Sequence, residues 1–292
     1  MIKRVYLEIT NSCNLNCPFC EAQKKHDFMS LDLIKRNLKQ IKQICDFVYL
    51  HVLGEPLLHP EFDHILDICN ELKLNVQLVT NGTLLYKYPN ILKHHSLRKL
   101  SISVHSIDHQ KVDERYFATL NRLIEEVSQC DHQFLELRFY DFSHLNGNAK
   151  EYHEFLQTHY EFQETNKKAS FLINKHCFVF YQELFHWPCI ADPIVSTKGK
   201  CHGALEMIGI LANQDVIICC LDAEGHTKIG NLNEQTLSEI IQGDAYLNIY
   251  NHLLQGELVN PLCQRCTYRL RFDKAYKWWR DIPKTIGVGI SS

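Results

Sequence analysis

The chain has 292 residues, of which 45% are hydrophobic and 22% are charged, and its formal net charge at pH 7 is -3. This length and composition predict an ordinary globular protein of one large or two modest domains, without a global charge that would attract nucleic acid or anionic lipid. No apolar run approaches the roughly 18 residues of a membrane-spanning helix, so we expect a cytosolic protein whose thirteen cysteines are not paired in disulfides.

Strand-like and helix-like patterns alternate through the first 140 residues. Apolar strand patterns cover residues 5–10, 47–53, 75–79, 99–104 and 134–140, and helical patterns cover residues 30–44, 60–72, 84–94 and 112–128. A helix at 150–159 and a strand at 169–173 would complete a sixth unit. This alternation predicts an α/β fold with a parallel sheet, either a partial barrel or an open doubly wound sheet. Both folds place their sites at the carboxyl ends of the strands.

Three cysteines follow the first predicted strand. Cys13, Cys17 and Cys20 have the spacing C-x3-C-x2-C, with Phe19 directly before the third cysteine. A structural zinc site has four closed ligands and a ferredoxin-type cluster has four cysteines, so three thiolates leave one coordination position open. The loop therefore indicates a reactive metal centre. Zinc with a distant fourth ligand, or three incidental buried thiols, would also account for the spacing.

This loop resembles that of the radical S-adenosylmethionine (radical SAM) enzymes, which implies a partial (β/α)6 barrel. In that family the three thiolates hold three irons of a [4Fe-4S] cluster, and S-adenosylmethionine (SAM) chelates the fourth iron. The resemblance implies that one electron from the reduced cluster cleaves SAM to a 5′-deoxyadenosyl radical, which abstracts hydrogen from a small-molecule substrate. It also implies a low-potential electron donor such as flavodoxin or ferredoxin.

Short motifs after the second and third strands resemble the SAM-binding segments of this family. Leu53-Gly54-Glu55-Pro56 is similar to a Gly-Gly-Glu-Pro motif, with Leu53 in place of the first glycine. The resemblance implies that Gly54 and Glu55 receive the amino group of SAM, which suits a charged acceptor. Asn81, in a Thr-Asn-Gly segment, is implied to contact SAM, although a plain turn would also use Asn-Gly.

The fourth and fifth strands carry two further residues of this kind. Ser103 resembles the serine of a Ser-x-Asp segment that reaches the ribose, but His105 stands in place of the acid and its role is open. Arg138 matches the position of an arginine that often contacts the SAM carboxylate. A salt bridge within the barrel would equally explain Arg138.

A second set of cysteines lies in the last third of the chain. Its spacing is C-x17-C and then C-x2-C, formed by Cys201, Cys219, Cys263 and Cys266. Four thiolates fully ligate a second [4Fe-4S] cluster, while four-cysteine zinc is the alternative. Between the cysteines lie a predicted hairpin over 207–211 and 216–219 and a predicted helix over 236–254. The arrangement resembles the shortened "twitch" form of the SPASM domain, which implies one auxiliary [4Fe-4S] cluster.

Two positions depart from the SPASM pattern. Gln214 stands where the family usually has glycine, and Cys220 directly follows Cys219, so either cysteine could be the ligand. Because adjacent side chains of a strand point to opposite faces, only one can bind, and the family spacing favours Cys219. Cys189 is a possible substitute ligand. The remaining four cysteines are predicted to be buried bystanders: Cys45, Cys69, Cys130 and Cys177.

The resemblance divides the chain into a radical SAM barrel over residues 1–188 and a twitch domain with its tail over 189–292. The tail is rich in basic and aromatic residues: Arg269, Arg271, Lys274, Lys277, Trp278, Trp279 and Arg280. Such a segment could bind an anionic substrate or partner. A solvated helix whose tryptophans pack on the body is the alternative.

The motifs do not specify the reaction. The C-x17-C spacing and the single terminal cysteine pair are similar to those of the aminocyclitol (scyllo-inosamine) dehydrogenase type, which implies hydrogen abstraction followed by electron transfer to the auxiliary cluster. A lyase that releases the 7-deazaguanine base of queuine, a peptide-modifying SPASM enzyme and a zinc-bound scaffold are alternatives. We expect no peptide-recognition region ahead of the first strand, which disfavours the peptide-modifying enzyme.

Overall fold

The computed structural model describes residues 2–20, 27–109, 112, 114–140, 145–167 and 169–272. The strands, in chain order, are β1 Arg4–Leu7, β2 Phe47–Tyr49, β3 Asn75–Thr80, β4 Leu97–Ser103, β5 Phe134–Tyr140, β6 Gln163–Glu164, β7 Ser170–Asn174, β8 Cys177–Gln182, β9 Met207–Ile210, β10 Asp215–Ile217 and β11 Lys228–Asn231. The α-helices are α1 Leu31–Lys42, α2 Phe62–Glu71, α3 Glu114–Ser128, α4 Gly147–His159, α5 Leu237–Gln242, α6 Asp244–Leu254 and α7 Pro261–Arg265. None of the helices in these ranges combines the length and apolarity needed to cross a membrane.

The described residues fall into two compact units. The first combines the residues up to Val76 with those from Phe185 onward, and the second runs from Gln77 to Leu184. The functional division at residue 188 expected from the sequence stays a prediction.

In the first unit, β1 is an inner strand of the sheet. It is parallel to β2 on one side, where Val5 lies opposite Val48, and parallel to β9 on the other, where Val5 lies opposite Ile208. β10 runs antiparallel to β9, and β11 antiparallel to β10, which confirms the predicted hairpin. The hairpin thus extends the sheet that begins with β1. Val5, Val48 and Ile208 are fully buried, as expected for apolar side chains at the centre of a sheet.

In the second unit, the strand order is β3-β4-β5-β8-β7-β6. β4, β5 and β8 are parallel, whereas β7 is antiparallel to β8 and β6 to β7. The prediction that residues 169–173 form the sixth parallel strand is therefore wrong, because β8 occupies that place. The Asn174 side chain explains the hairpin, since its Oδ1 accepts hydrogen bonds from the backbone N–H groups of His176 and Cys177 at 2.9 and 2.8 Å.

Two predicted helices are interrupted. The segment 84–94 forms only the short 3-10 helices Leu85–Lys87 and Ile91–Lys93. Pro89 lies between them, lacks an N–H and disfavours helical backbone at Tyr88, whose φ and ψ are -117° and 64°. The segment 236–254 breaks into α5 and α6 at Gly243, whose backbone is extended. By contrast, Ser30 caps α1 as predicted, because its side chain accepts a hydrogen bond from the N–H of Leu33.

Gln214 occupies the turn between β9 and β10 with a φ of +73°, a left-handed conformation that favours glycine. Its side chain is buried, and Oε1 accepts hydrogen bonds from Nδ2 of Asn37 at 3.0 Å and from Nη2 of Arg36 at 3.1 Å. Both donors belong to α1. These bonds offset the cost of the left-handed backbone, about 1–3 kcal/mol for a residue other than glycine, and explain why glutamine stands where glycine is usual.

His153 lies on α4 in the core of the second unit. Its Nε2 is 2.6 Å from the hydroxyl of Tyr181, and its ring meets that of Phe139 edge-on at 5.2 Å. Burial lowers the pKa of His153 from 6.5 to about 4. The folded chain therefore keeps this imidazole neutral at pH values where the unfolded chain protonates it.

This difference makes stability depend on pH. The contribution of His153 is complete above pH 6.5 and declines as pH falls toward 4, because only the unfolded state binds the proton in that interval. Between pH 7.5 and pH 5 the free energy of unfolding should fall by about 2 kcal/mol through this residue. Urea unfolding at a series of pH values should show a shallower decline in His153→Gln. His159→Gln, on the exposed side of the same helix, is the matched control, and equal slopes in all three proteins would contradict the assignment.

Candidate active site

The first three cysteines lie together in the loop that follows β1. The N–H of Leu15 donates a hydrogen bond to Sγ of Cys13 at 3.5 Å, and the N–H of Cys20 donates to the carbonyl of Cys17 at 3.1 Å. Burial, and then the charges of Cys20 and Cys13, raise the pKa of Cys17 to about 12. The three sulfurs are thus within electrostatic reach of one another, so a positively charged metal centre would compensate the charge that the thiolates cannot easily carry alone.

The predicted strand-end motif packs on the backbone that leads into this loop. Gly54 has a φ of +81°, and a Cβ placed on it would lie 2.5 Å from the carbonyl oxygen of Thr10 and 2.9 Å from that of Ser12. The N–H of Glu55 donates to the carbonyl of Ser12 at 2.7 Å. Only glycine permits this approach. The Glu55 carboxylate is 1% exposed and accepts a hydrogen bond from the N–H of Leu57 at 3.1 Å.

Two predicted SAM contacts of the second unit are neighbours. Ser103 on β4 lies opposite Arg138 on β5. The Arg138 guanidinium is 4.7 Å from the centre of the Tyr140 ring, and its buried Nε has no hydrogen-bond partner among the described residues. Within the same part of the chain, the ion pair on this strand is formed by Glu136 and Lys99 at 3.1 Å, not by Arg138.

The charges around Glu136 lower the pKa of its carboxyl group. Burial alone would raise the pKa of Glu136, but the positive charges of Lys99 and Arg138 and a hydrogen bond from Ser101 lower it on balance. Glu136 therefore stays ionised, and Arg138 lies within the field of a carboxylate without pairing with it directly.

Asn81 and His105 have local structural partners. Oδ1 of Asn81 accepts hydrogen bonds from the N–H and the hydroxyl of Thr83 at 2.9 and 2.7 Å, as in a tight turn. Nδ1 of His105 lies 3.1 Å from the carbonyl oxygen of Arg138, and its ring stacks on Tyr140 at 4.4 Å. His105 thus supports the backbone of β5 at Arg138. The role of Asn81 toward SAM stays a prediction.

The second set of cysteines surrounds a single cavity in the first unit. The lining includes all four cysteines predicted from the spacing: Cys201, Cys219, Cys263 and Cys266. Backbone N–H groups of Gly203 and Leu221 donate to the sulfurs of Cys201 and Cys219, each at 3.4 Å. Burial, and then Cys201 and Cys266, raise the pKa of Cys263 to about 12. Four converging sulfurs with N–H donors suit a fully ligated cluster, whose potential depends on such hydrogen bonds.

The other cysteines do not line this cavity. Cys220 is absent from the lining of this cavity, and its sulfur is 3.9 Å from that of Met207, which favours Cys219 as the ligand. Cys189 is exposed and lines a different cavity. Cys69 and Cys177 are fully buried, and burial raises the pKa of both thiols, whereas Cys45 and Cys130 are only partly buried. All thirteen cysteines have free thiols.

The sulfurs are not arranged around a single ion. Across the described ranges, no three His, Cys, Asp or Glu side chains are grouped to hold one metal ion.

A second cavity, of about 170 Å³, is bordered by segments that flank both cysteine sets. Asn11 and Leu53 come from the residues directly before the cysteine loop and before Gly54, and the segment 221–224 directly follows Cys220. The lining includes four carboxylates: Glu8, Asp27, Asp222 and Glu224. Its one basic side chain among the described residues is His226, whose Nε2 is 2.9 Å from Oε2 of Glu224. The cavity is therefore acidic.

Glu8 was missed by the sequence reasoning. Its side chain is 4% exposed, and its two carboxylate oxygens accept hydrogen bonds from the N–H of Leu53 at 3.5 Å and of Ala212 at 3.0 Å. Glu8 thus connects the end of the second strand segment to the β9–β10 hairpin. An acidic residue inside an apolar strand pattern was the available signal, since buried carboxylates need specific partners.

Part of the basic tail is described. Arg269 is 4% exposed, and the Arg271 guanidinium lies 3.7 Å from the centre of the Tyr268 ring. The remaining tail residues named above lie outside the described residues: Lys274, Lys277, Trp278, Trp279 and Arg280. Arg269 therefore does not belong to a solvated basic face.

Comparison with known proteins identifies the two domains that the cysteine motifs resemble. The model of the radical SAM superfamily matches residues 7–129, and that of the SPASM iron-sulfur cluster-binding domain matches residues 201–267. A probable GTP 3′,8-cyclase of Methanocella arvoryzae is 32% identical over 114 residues, which cover 38% of this chain and 36% of the relative. The chain thus spans about a third of the length of that relative.

Solved structures are similar over most of the chain. The crystal structure of BtrN in complex with AdoMet and 2-DOIA has a TM-score of 0.60 and 19% identity, and covers 91% of this chain and 93% of BtrN. The structure of Streptococcus suis SuiB bound to S-adenosylmethionine has a TM-score of 0.61 and 15% identity, and covers 94% of this chain and 75% of SuiB. At these identities the likeness establishes the fold, a mostly parallel α/β partial barrel. With the cysteine loop and the four-cysteine cavity, the two matches identify a radical SAM domain over residues 7–129 and a SPASM iron-sulfur cluster-binding domain over residues 201–267.

Proposed function

We propose that the enzyme dehydrogenates an amine-bearing small molecule, in the manner of the aminocyclitol dehydrogenases. The observation that carries the proposal is the acidic cavity, which is bordered by segments that flank both cysteine sets. A substrate bound there would contact segments that lead into or out of both cysteine sets. Four carboxylates with a single basic neighbour select a cationic group, and an alkylammonium is the ordinary cation of small metabolites.

The first cysteine loop is proposed to hold the cluster that activates SAM. Cys13, Cys17 and Cys20 would hold a [4Fe-4S] cluster, which when bound would supply the electron for reductive cleavage of SAM. The buried carboxylate of Glu55 accepts the amino group of SAM, and Gly54 keeps Glu55 against the cysteine loop. Phe19, Asn81, Ser103 and Arg138 are the further SAM contacts that the resemblance implies. A flavodoxin or ferredoxin in a reducing cytoplasm is the proposed electron donor.

The acidic cavity positions the substrate. Carboxylates on its walls attract the ammonium group and hold a nearby C–H bond in a fixed orientation, which is the main contribution of a protein to radical abstraction. The same carboxylates repel a triphosphate such as that of GTP. For this reason the cavity does not support a GTP-cyclising reaction like that named for the Methanocella arvoryzae relative.

The auxiliary site is proposed to accept an electron. Dehydrogenation of an alcohol carbon removes one hydrogen atom, then one electron and one proton. With all four positions taken by thiolates, a cluster held by Cys201, Cys219, Cys263 and Cys266 has no vacant iron for substrate, so electron transfer is the role it can perform. The proton leaves to water or to a cavity carboxylate.

A queuine-type lyase is the second candidate that the acidic cavity would accommodate, because the released 7-deazaguanine base also bears an amine. The two reactions differ in the substrate that donates the hydrogen atom. Deuterium transfer into 5′-deoxyadenosine from a labelled aminocyclitol supports dehydrogenation, whereas transfer from labelled queuine with release of the base supports the lyase. Transfer from neither substrate would contradict both assignments.

The first prediction concerns the radical reaction itself. Anaerobically reconstituted protein should contain about eight irons per chain, four for each cluster, and should convert SAM to 5′-deoxyadenosine and methionine under a strong reductant. Replacement of Cys13, Cys17 and Cys20 by alanine should abolish this conversion and remove about half of the iron. Cys69→Ala, a buried cysteine away from both sets, is the control for loss of a thiol. Turnover that survives the triple substitution would overturn the proposal.

The second prediction concerns the ligands of the auxiliary cluster. Cys219→Ala should lose about four irons, because its sulfur lines the four-cysteine cavity, whereas Cys220→Ala should keep them. Iron analysis together with Mössbauer or EPR spectra measures the loss. The reverse pattern would show that Cys220 is the ligand.

The third prediction concerns the charge of the substrate. The double substitution Asp27→Asn and Glu224→Gln removes two exposed carboxylates of the cavity and should raise KM for an amine substrate by about threefold to tenfold, with little change in kcat. KM for an analogue with hydroxyl in place of the amine should not change. Asp131→Asn, an exposed carboxylate of the second unit, is the control. Equal effects on the amine and its hydroxyl analogue would exclude an ammonium-binding role for the cavity.

A further inference from the structure

A buried histidine lies at the end of the segment that carries Glu55. His59 directly follows the 3-10 helix Pro56–Leu58, and only 2% of its surface is exposed. Glu55 begins this short helix, because its carboxylate accepts a hydrogen bond from the N–H of Leu57. The backbone N–H of His59 closes the helix by donating to the carbonyl of Pro56 at 3.0 Å. Glu55 and His59 are therefore the two ends of one helical turn, so a shift of one displaces the other.

Both ring nitrogens of His59 have backbone partners. The N–H of Glu61 donates to Nδ1 at 3.2 Å, and Nε2 lies 2.9 Å from the carbonyl oxygen of Met29. Since Nδ1 accepts, the proton is on Nε2, which donates to Met29. The ring also meets that of Phe28 edge-on at 5.8 Å. These contacts determine both the tautomer and the orientation of the imidazole.

Met29 lies where the chain leaves the cysteine loop, and it is held from several sides. Its N–H donates to the carbonyl of Ile9 at 2.9 Å, which joins the segments before and after the loop. Its buried sulfur accepts hydrogen bonds from Nδ2 of Asn37 at 3.4 Å and from Nε2 of Gln214 at 3.6 Å. The carbonyl that His59 contacts therefore belongs to a well-anchored residue.

The helical turn of Glu55 and His59 thus contacts both ends of the cysteine loop. On the entry side, the N–H of Glu55 donates to the carbonyl of Ser12, directly before Cys13, at 2.7 Å. On the exit side, the imidazole of His59 donates to the carbonyl of Met29. The first hydrogen bond fixes one point of the turn, and a second point is needed to prevent rotation about the first. His59 supplies that second point.

We infer that His59 is a positioning residue for SAM, which sets the direction of the Glu55 carboxylate relative to the three cysteines of the first loop. The inference rests on the proposed SAM site, in which these cysteines would hold the cluster and Glu55 would accept the amino group of SAM. A ligand that contacts both groups binds tightly only where they are held in the matching geometry. Loss of the hydrogen bond to Met29 should therefore weaken SAM binding, although His59 itself need not contact SAM.

The test measures SAM binding in the absence of any amine substrate. Full-length protein with both clusters is titrated anaerobically with SAM by isothermal calorimetry, and the EPR spectrum of the reduced protein is recorded with and without SAM. His59→Phe keeps an aromatic ring but removes both hydrogen bonds, and it should raise Kd for SAM about tenfold and diminish the change that SAM causes in the spectrum. His59→Gln, whose amide nitrogen can donate to Met29, should stay within about threefold of the unsubstituted protein.

His64→Phe is the matched control, because it makes the same replacement at an exposed position of α2. Iron content and the free energy of unfolding are measured for each variant. If His59→Phe does not fold, His59→Asn takes its place, since the shorter side chain can still accept from Glu61 but ends short of Met29.

Unchanged SAM affinity in His59→Phe would overturn the inference, as would equal weakening in His59→Phe and His59→Gln. It would also be overturned if His59→Phe loses the iron of the first site, because the hydrogen bond would then serve cluster assembly and not the direction of Glu55. Weakened SAM binding in an enzyme that dehydrogenates no amine would uphold the role of His59 and refute the proposed reaction alone. Absence of SAM binding by the unsubstituted protein would refute the proposed SAM site, and this role of His59 with it.

Discussion

The close approach of Gly54 to the backbone of Thr10 and Ser12 is the constraint on which the first site depends. A side chain at residue 54 would overlap two carbonyl oxygens, so the end of the second strand segment meets the start of the cysteine loop only through a glycine. The hydrogen bond from Glu55 to Ser12 then sets the register of the two segments. This single contact between backbones brings the segment of Gly54 and Glu55 to the start of the cysteine loop.

The first unit places two cavities of opposite chemistry on the segments that join its strands. One is lined by sulfurs with a buried arginine beside them, and the other by carboxylates. Residues 219–224 contribute to both, so a few residues separate a site suited to an anionic cluster from one suited to a cation.

Local patterns in the sequence predicted much of the fold because each was decided by local forces. The strand at 134–140 matches β5, and Ser30 caps α1 as its hydroxyl allows. The predictions of helices and strands were wrong where a tertiary contact or a single residue overrides the hydrophobic periodicity of the sequence. Pro89 interrupts the helix expected over 84–94, and the turn at Asn174 gives the sixth parallel place to β8. Periodicity measures amphipathicity, and it cannot tell which of two apolar strands joins the neighbouring one.

The sequence predicted the part of the candidate site that follows from the spacing of the cysteines. The spacing identified four cysteines that line one cavity, and the geometry separates Cys219 from Cys220. Glu8 and the acidic cavity were not predictable, because their residues come from segments up to about two hundred positions apart in the sequence and meet only in three dimensions.

The side-chain amide of Gln214 anchors the auxiliary domain to the first helix. The side chain of Gln214 connects the β9–β10 hairpin to Asn37 and Arg36 of the first helix, which a glycine at this turn could not do. That helix begins shortly after the first cysteine loop, and the hairpin leads directly into Cys219. The Gln214 side chain contacts neither sulfur set, yet it helps to fix the distance between them. Loss of the Gln214 side chain would therefore loosen the spacing of the two sulfur sets without removing a single thiol.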